Sequence, residues 1–121
     1  ISQEIAPISP WFGGVPCETG SDGTDLVLNI LRNASKYLLK DGYFFFPVLS
    51  LSNVDALLRE VKEKFYTVEL LERQEWPLPK ELEVHMPLLK KLSKEGSIKL
   101  EERFGMVLCY TEVYLARNPI N

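Results

Sequence analysis

Over residues 24–40, Val27, Ile30, Leu31, Ala34 and Leu38 recur at helical spacing, while Asn29, Arg32, Asn33, Lys36 and Lys40 fall on the opposite side. That stripe predicts an amphipathic helix. Asp22 and Thr24 both stand where a short side-chain oxygen can cap its first turn. Lys40 suits the negative end of the helix dipole, and Gly42 is placed to supply a left-handed stop. The next stretch, Tyr-Phe-Phe-Phe-Pro-Val-Leu over 43–49, is apolar without alternation, which predicts a strand covered on both faces. Pro47 has no N–H to give, so its position belongs at the strand end or faces a gap in the ladder.

Ser52 with Asp55 three residues on approximates a capping box, and Val54, Leu57, Leu58, Val61 and Phe65 form the stripe of a second helix. Arg59, Glu60, Lys62, Glu63 and Lys64 make its wet side. Residues 66–71 mix β-branched and aromatic side chains with Glu69, as an edge strand does. Trp76-Pro77-Leu78-Pro79 breaks the chain, because a residue before proline is pushed out of the helical region. Residues 80–94 return to helical spacing at Leu82, Met86, Leu89 and Leu92, and Gly96 ends them. Pro87 inside that stretch predicts a kink or two short helices. The last strand is expected at 106–116, with Ile98, Leu100 and Phe104 marking a short strand before it. Alternating helices and strands predict a layered α/β domain of at least three strands. The final strand follows no full crossover helix, so it should run antiparallel to its neighbours.

Residues 1–21 hold Pro7, Pro10, Pro16, Gly13, Gly14 and Gly20 around Trp11 and Phe12, a composition that makes a long loop. The Trp-Phe pair is either pinned to the core or offered to a ligand. A length of 121 residues suits one domain, and 45% apolar with 26% charged residues is globular composition. The net charge of −3 argues against a dedicated nucleic-acid module. Cys17 and Cys109 lack any ligand spacing and read as reduced thiols. No apolar run reaches the ~18 residues of a membrane span, and no basic-then-apolar leader is present. The expectation is a cytoplasmic protein without membrane contact. The chain opens on Ile1, as a processed protein or the later part of a longer one would.

Candidate chemistry is sparse. His85 is the only histidine, and no serine, cysteine or carboxylate partner is suggested by spacing; Glu81 and Glu83 read as surface charges. Cys17 sits in the Pro/Gly loop, where a stabilised thiolate would be reactive. Gly13-Gly14 and Gly20-x-x-Gly23 do not form a phosphate cradle, since no strand precedes them. Lys90-Lys91 and Glu101-Glu102 read as solvated faces, and no metal-ligand spacing occurs.

Gly20-Ser21-Asp22-Gly23-Thr24-Asp25, the helix ending in Leu38-Leu39-Lys40-Asp41-Gly42-Tyr43, the Phe-Phe-Phe-Pro-Val strand and the Asn53-to-Val61 helix resemble the later half of class I S-adenosylmethionine-dependent methyltransferases. Within them the stretch is similar to the small-methyltransferase branch that includes release-factor glutamine methyltransferases. The likeness covers residues 20–72 and, by architecture, 104–117. It implies a partial Rossmann-like sheet ending in an antiparallel strand, tucked between the family's fifth and sixth strands. All of residues 1–121 would be the C-terminal part of one α/β methyltransferase domain, with 1–21 as a substrate-side loop and 77–96 as a helical insert. The family's Gly-rich cofactor loop and its Asn/Asp-Pro-Pro-aromatic motif do not occur in the chain. The resemblance therefore implies that Ile1 follows the catalytic motif, that catalytic and main cofactor residues lie upstream, and that this chain alone is inactive. It implies S-adenosylmethionine as cofactor and a protein or nucleic-acid acceptor. Ligand crevices of open α/β sheets lie at the carboxyl ends of the strands, so Pro10, Trp11, Phe12 and Gly13 are the substrate-binding candidates, and the insert would shape the acceptor surface.

The expected function is then part of a methyltransferase acting on a side-chain or base nitrogen. The rival is a non-catalytic α/β binding or scaffold subunit, and a third reading, a flavodoxin-like fragment, requires all-parallel strands. Half of a doubly wound sheet leaves an edge uncovered, so self-association or a partner chain is expected.

Overall fold

A computed structural model describes residues 1–11 and 19–120, apart from the side chain of Ser35. Helix α1 spans Asp25–Tyr37, strand β1 Tyr43–Leu49, helix α2 Val54–Lys64 and strand β2 Phe65–Pro77. The short helix α3 (Lys80–Glu83), helix α4 (Met86–Glu95), strand β3 (Glu101–Arg103) and strand β4 (Met106–Pro119) complete the chain. A 3-10 turn at Ala6–Ile8 interrupts the N-terminal loop.

The architecture is mixed α/β with an open four-stranded sheet, in which every pairing is antiparallel. The order is β1-β4-β2, with β3 paired to the start of β4. Because β4 opposes both β1 and β2, those two strands run parallel with a reversed strand between them. Antiparallel pairing removes the flavodoxin-like alternative and places the last strand as its sequence predicts.

One face of the sheet is covered by α1 and α2. Phe46 and Val48 of β1, Ala116 of β4, Leu31 of α1 and Leu57 and Val61 of α2 form its buried layer, with Phe44 and Tyr114 at the margin. Truncating a buried leucine such as Leu57 to alanine in such a layer costs about 2–5 kcal/mol. The opposite face is covered only at the Cys109 end, by Ile5 of the N-terminal segment, Leu82 of α3 and Leu89 and Leu92 of α4. Among the described residues nothing covers the rest of it: Phe45 is 59% exposed, and Tyr43 and Val113 are exposed with it. The expectation that β1 is buried on both faces is thus overturned. Aromatic residues at 43 and 45 hid the alternation, because the polar side of this strand is apolar too.

Several local expectations change by a residue or two. Asn53, not Ser52, caps α2: its Oδ1 accepts from the Ala56 N–H at 3.0 Å, while Ser52 Oγ donates to the Leu49 carbonyl at 2.6 Å. Neither Asp22 nor Thr24 caps α1 through its side chain; Asp22 Oδ1 instead accepts from Thr24 Oγ1 at 2.6 Å. Helix α1 stops at Tyr37, so Lys36 rather than Lys40 lies in its last turn. Gly42 is not left-handed; its N–H donates to the Leu39 carbonyl at 2.8 Å, and an added Cβ would meet that carbonyl at 3.0 Å. Pro87 divides the insert into α3 and α4, and left-handed Gly96 (φ +84°) closes α4. Strand β2 runs well past residue 71, through a bulge at Leu71, although its second half is polar. Ion pairs sustain that half. Arg73 contacts Glu101 and lies 3.6 Å from Glu112, and Arg103 reaches Glu75 at 3.0 Å.

Pro47 lands where its chemistry allows. The Ser50 N–H donates to the Tyr110 carbonyl at 2.9 Å, continuing the β1–β4 register. Alternation then turns residues 44, 46 and 48 toward β4, and 45 and 47 toward the unpaired edge. The missing N–H of Pro47 therefore falls on that edge, where it removes no ladder bond.

Candidate functional site

Strands β1 and β2 are parallel, so their carboxyl ends share one margin of the sheet. Leu49 pairs with Thr111 and Trp76 with Cys109, two places apart on β4. The indole Nε1–H of Trp76 donates to Thr111 Oγ1 at 3.3 Å, which fixes the ring against β4. Trp11 meets it edge to face, with centroids 5.3 Å apart and planes at 87°. Ile1, Trp11, Leu49 and Trp76 line a cavity of about 470 Å³ at this margin. Trp11 stays 47% exposed, so the cavity has an open side.

The N-terminal segment is held in place there by backbone bonds. The Ser2 N–H donates to the Leu51 carbonyl at 2.8 Å, the Gln3 N–H to the Gly20 carbonyl at 3.0 Å, and Thr19 Oγ1 to the Ile1 carbonyl at 2.5 Å. Ser2 Oγ donates to the Ser21 carbonyl. The Gly20–Gly23 turn in turn joins α2, since the Asn53 N–H donates to the Asp22 carbonyl at 2.9 Å and Asn53 Nδ2 to Asp22 Oδ2 at 3.2 Å. The loop, the α1 entry and the β1–α2 turn thus form one rim.

None of the four described side chains that line the cavity is titratable. These side chains offer apolar and aromatic surface for binding. Titratable side chains cluster instead within and beneath β4. Glu112, 6% exposed, lies near Arg73, whose guanidinium sits 3.8 Å above the Tyr110 ring. Burial pushes the Tyr114 hydroxyl up to about 12, and the charge and hydrogen bond of Glu112 push the same way. Burial likewise raises the Cys109 thiol to about 11, against an opposing hydrogen bond with Ser50. A cysteine held this way is inert, the opposite of an activated thiolate. Among the described residues no group of histidine, cysteine, aspartate and glutamate side chains could hold a metal ion. No helix among them is long and apolar enough to cross a membrane.

Of the sequence candidates, Trp11 lies in the cavity wall and Pro10 beside it is exposed. Phe12, Gly13 and Cys17 lie outside the described residues. His85 is half-buried at the start of α4, and no hydrogen bond joins its ring to a described residue. Trp76 is the residue the sequence reading missed. Its place in the Trp76-Pro77-Leu78-Pro79 break marks a chain stop and not a site, although a tryptophan at the end of a strand is itself a signal for a rim position.

The described residues do not form a site for S-adenosylmethionine. Gly20 (φ +81°) and Gly23 (φ +77°) make the only Gly-rich turn among the described residues, and it is filled by the chain itself. A Cβ on Gly23 would strike the Ile1 and Ser2 backbone, and one on Gly20 would meet the Asp25 carboxylate at 2.5 Å. That carboxylate also places negative charge at the α1 N-terminus, where an anionic group would otherwise settle. No family model, no curated protein and no solved structure matches the chain.

Proposed function

We propose that the chain forms the C-terminal part of a Rossmann-like S-adenosylmethionine-dependent methyltransferase domain acting on a side-chain or base nitrogen. One observation carries the reading: two parallel strands, β1 and β2, with the reversed β4 inserted between them. The resemblance at residues 20–72 implies that arrangement for strands five, six and the terminal strand. A sheet of this kind is also expected to continue beyond β1. The unpaired β1 edge and the flank of α1 beside it expose Leu26, Ile30, Tyr37, Leu39, Tyr43 and Phe45, apolar residues that further strands and a helix would cover.

In this reading the residues present supply shape and acceptor contact. Methyl donation, the chemistry the cofactor brings, would be housed by parts of the domain other than these. The Trp11–Trp76 cavity then sits on the acceptor side, at the carboxyl ends of the strands. Calorimetry of S-adenosylmethionine with the product of the complete open reading frame tests the proposal. Saturable binding is expected there and none to residues 1–121 alone. A complete product that binds none of it overturns the reading.

A second reading, a non-catalytic α/β binding or scaffold subunit, draws on the same apolar margin and on a groove of about 460 Å³ between α1 and Phe44 of β1. Under it a partner chain covers that margin, and the complete product binds the partner without S-adenosylmethionine.

A further inference from the structure

We propose that the cavity between Trp11 and Trp76 receives a neutral aromatic side chain of a polypeptide, an anchor that holds the acceptor chain rather than the atom that is modified. The inference rests on the methyl-transfer reading for its setting, while the binding itself stands on the cavity.

The two indoles stand at 87° with centroids 5.3 Å apart and form a corner. A flat ring entering it can stack on one face and meet the edge of the other, the arrangement that aromatic quadrupoles favour. The remaining described walls, Ile1 and Leu49, are aliphatic. The one polar atom on these four side chains, Trp76 Nε1, already donates to Thr111. A strongly polar or charged group would lose water here and gain no partner from these four side chains.

A nucleobase satisfies the ring requirement and fails the electrostatic one. Nucleic-acid affinity is carried mainly by lysine and arginine against phosphate, and neither lines the cavity. Strand β2, which leads to Trp76, carries Glu69, Glu72 and Glu75 against the single Arg73, with Glu75 ion-paired to Arg103, and the whole chain has a net charge of −3. A polypeptide offering phenylalanine or another neutral aromatic meets no such repulsion. The cavity exceeds a single ring in size, leaving room for the flanking backbone.

The test uses a built-in reporter, because both tryptophans of the chain line the cavity. Intrinsic fluorescence is titrated with N-acetyl-phenylalanine amide, N-acetyl-leucine amide, adenosine and tetramethylammonium. The phenylalanine probe should shift the emission saturably, at a midpoint about three- to tenfold below the leucine probe, the factor an aromatic pair contributes beyond buried area. Trp11→Leu should bring the two amides to the same midpoint, with Trp76 still reporting, and Trp11→Phe should restore part of the difference. Circular dichroism of both variants checks that the fold is kept. Equal midpoints in the unaltered chain, tighter saturation by adenosine or tetramethylammonium, or no saturation by any probe overturns the inference. Loss of S-adenosylmethionine binding in the complete product, with the aromatic response intact, sinks the methyl-transfer reading alone; the converse pattern sinks this inference alone.

Discussion

Phe104 is 96% exposed at the tip of the β3–β4 hairpin and adopts φ +52°, a conformation that costs a residue with a bulky Cβ substituent. With Gly105 at φ +77°, and Arg103 paired to Met106, it forms a two-residue turn that favours asparagine in its first place. Phe104→Asn should therefore raise the unfolding free energy by about 0.5–1 kcal/mol, read from urea denaturation at unchanged m-value. Cys109 gives a second expectation. Its folded thiol titrates at about 11, above the ordinary 9.0, so the folded state holds its proton where the unfolded chain has lost it. Stability should be fully present below pH 9 and fall between pH 9 and 11. Tyr110 and Tyr114, both raised by burial, should extend the loss to higher pH. Cys109→Ala should flatten the lower part of that fall in thermal melts taken across the window. An unchanged slope would mean that the thiol is not desolvated. Neither residue was readable from the chain. Phe104 looks like an apolar strand position, and Cys109 reveals its burial only once Trp76 is paired against it.

Turns and caps explain which elements the sequence discloses. The stripes of α1 and α2, the break at Pro77 and the division at Pro87 are legible because periodicity and proline act locally. The caps are not, because Ser52, Asn53, Asp22 and Thr24 are all competent, and tertiary bonds choose among them. Asn53 wins at α2 because its amide also reaches Asp22 across the rim. The polar half of β2 is hidden for a related reason: Glu72 and Glu75 have poor strand propensity, and ion pairs of Arg73 and Glu75 with β3 and β4 hold that half in the sheet. Two glycines separate local from tertiary strain. Gly96 and Gly23 share a left-handed φ, yet a Cβ at Gly96 meets open space while one at Gly23 collides with the Ile1 backbone. Gly96→Ala should cost about 1 kcal/mol from conformation alone. Gly23→Ala should cost clearly more, and should loosen the N-terminal segment as measured by amide exchange at Ser2 and Gln3. Equal costs would show that the N-terminal segment does not pack against this turn.

Across the described molecule, one group of exposed apolar side chains lies on α1, β1 and the turn between them. Tyr37 is 85% exposed and Leu26, Ile30 and Leu39 are exposed on and after α1, while Tyr43 and Phe45 of the edge strand β1 are exposed on the other face of the sheet. A sheet margin of this kind associates unless something covers it. Residues 1–121 should accordingly show a concentration-dependent mass by light scattering, and Tyr37→Lys with Phe45→Lys should lower it. A monodisperse monomer at every concentration would count against an uncovered margin. The order β1-β4-β2 could not be read from periodicity, which gives the number of strands and not their neighbours. The antiparallel sense of the last strand could, because a helical insert split by Pro87 makes no standard crossover.

The most direct measurement is transfer of labelled methyl from S-adenosylmethionine by the product of the complete open reading frame, offered polypeptide acceptors with and without a neutral aromatic residue near the acceptor nitrogen. Incorporation into polypeptide is expected, with KM raised when the aromatic is removed or when Trp11→Leu is introduced. A complete product that neither binds the cofactor nor incorporates label contradicts it.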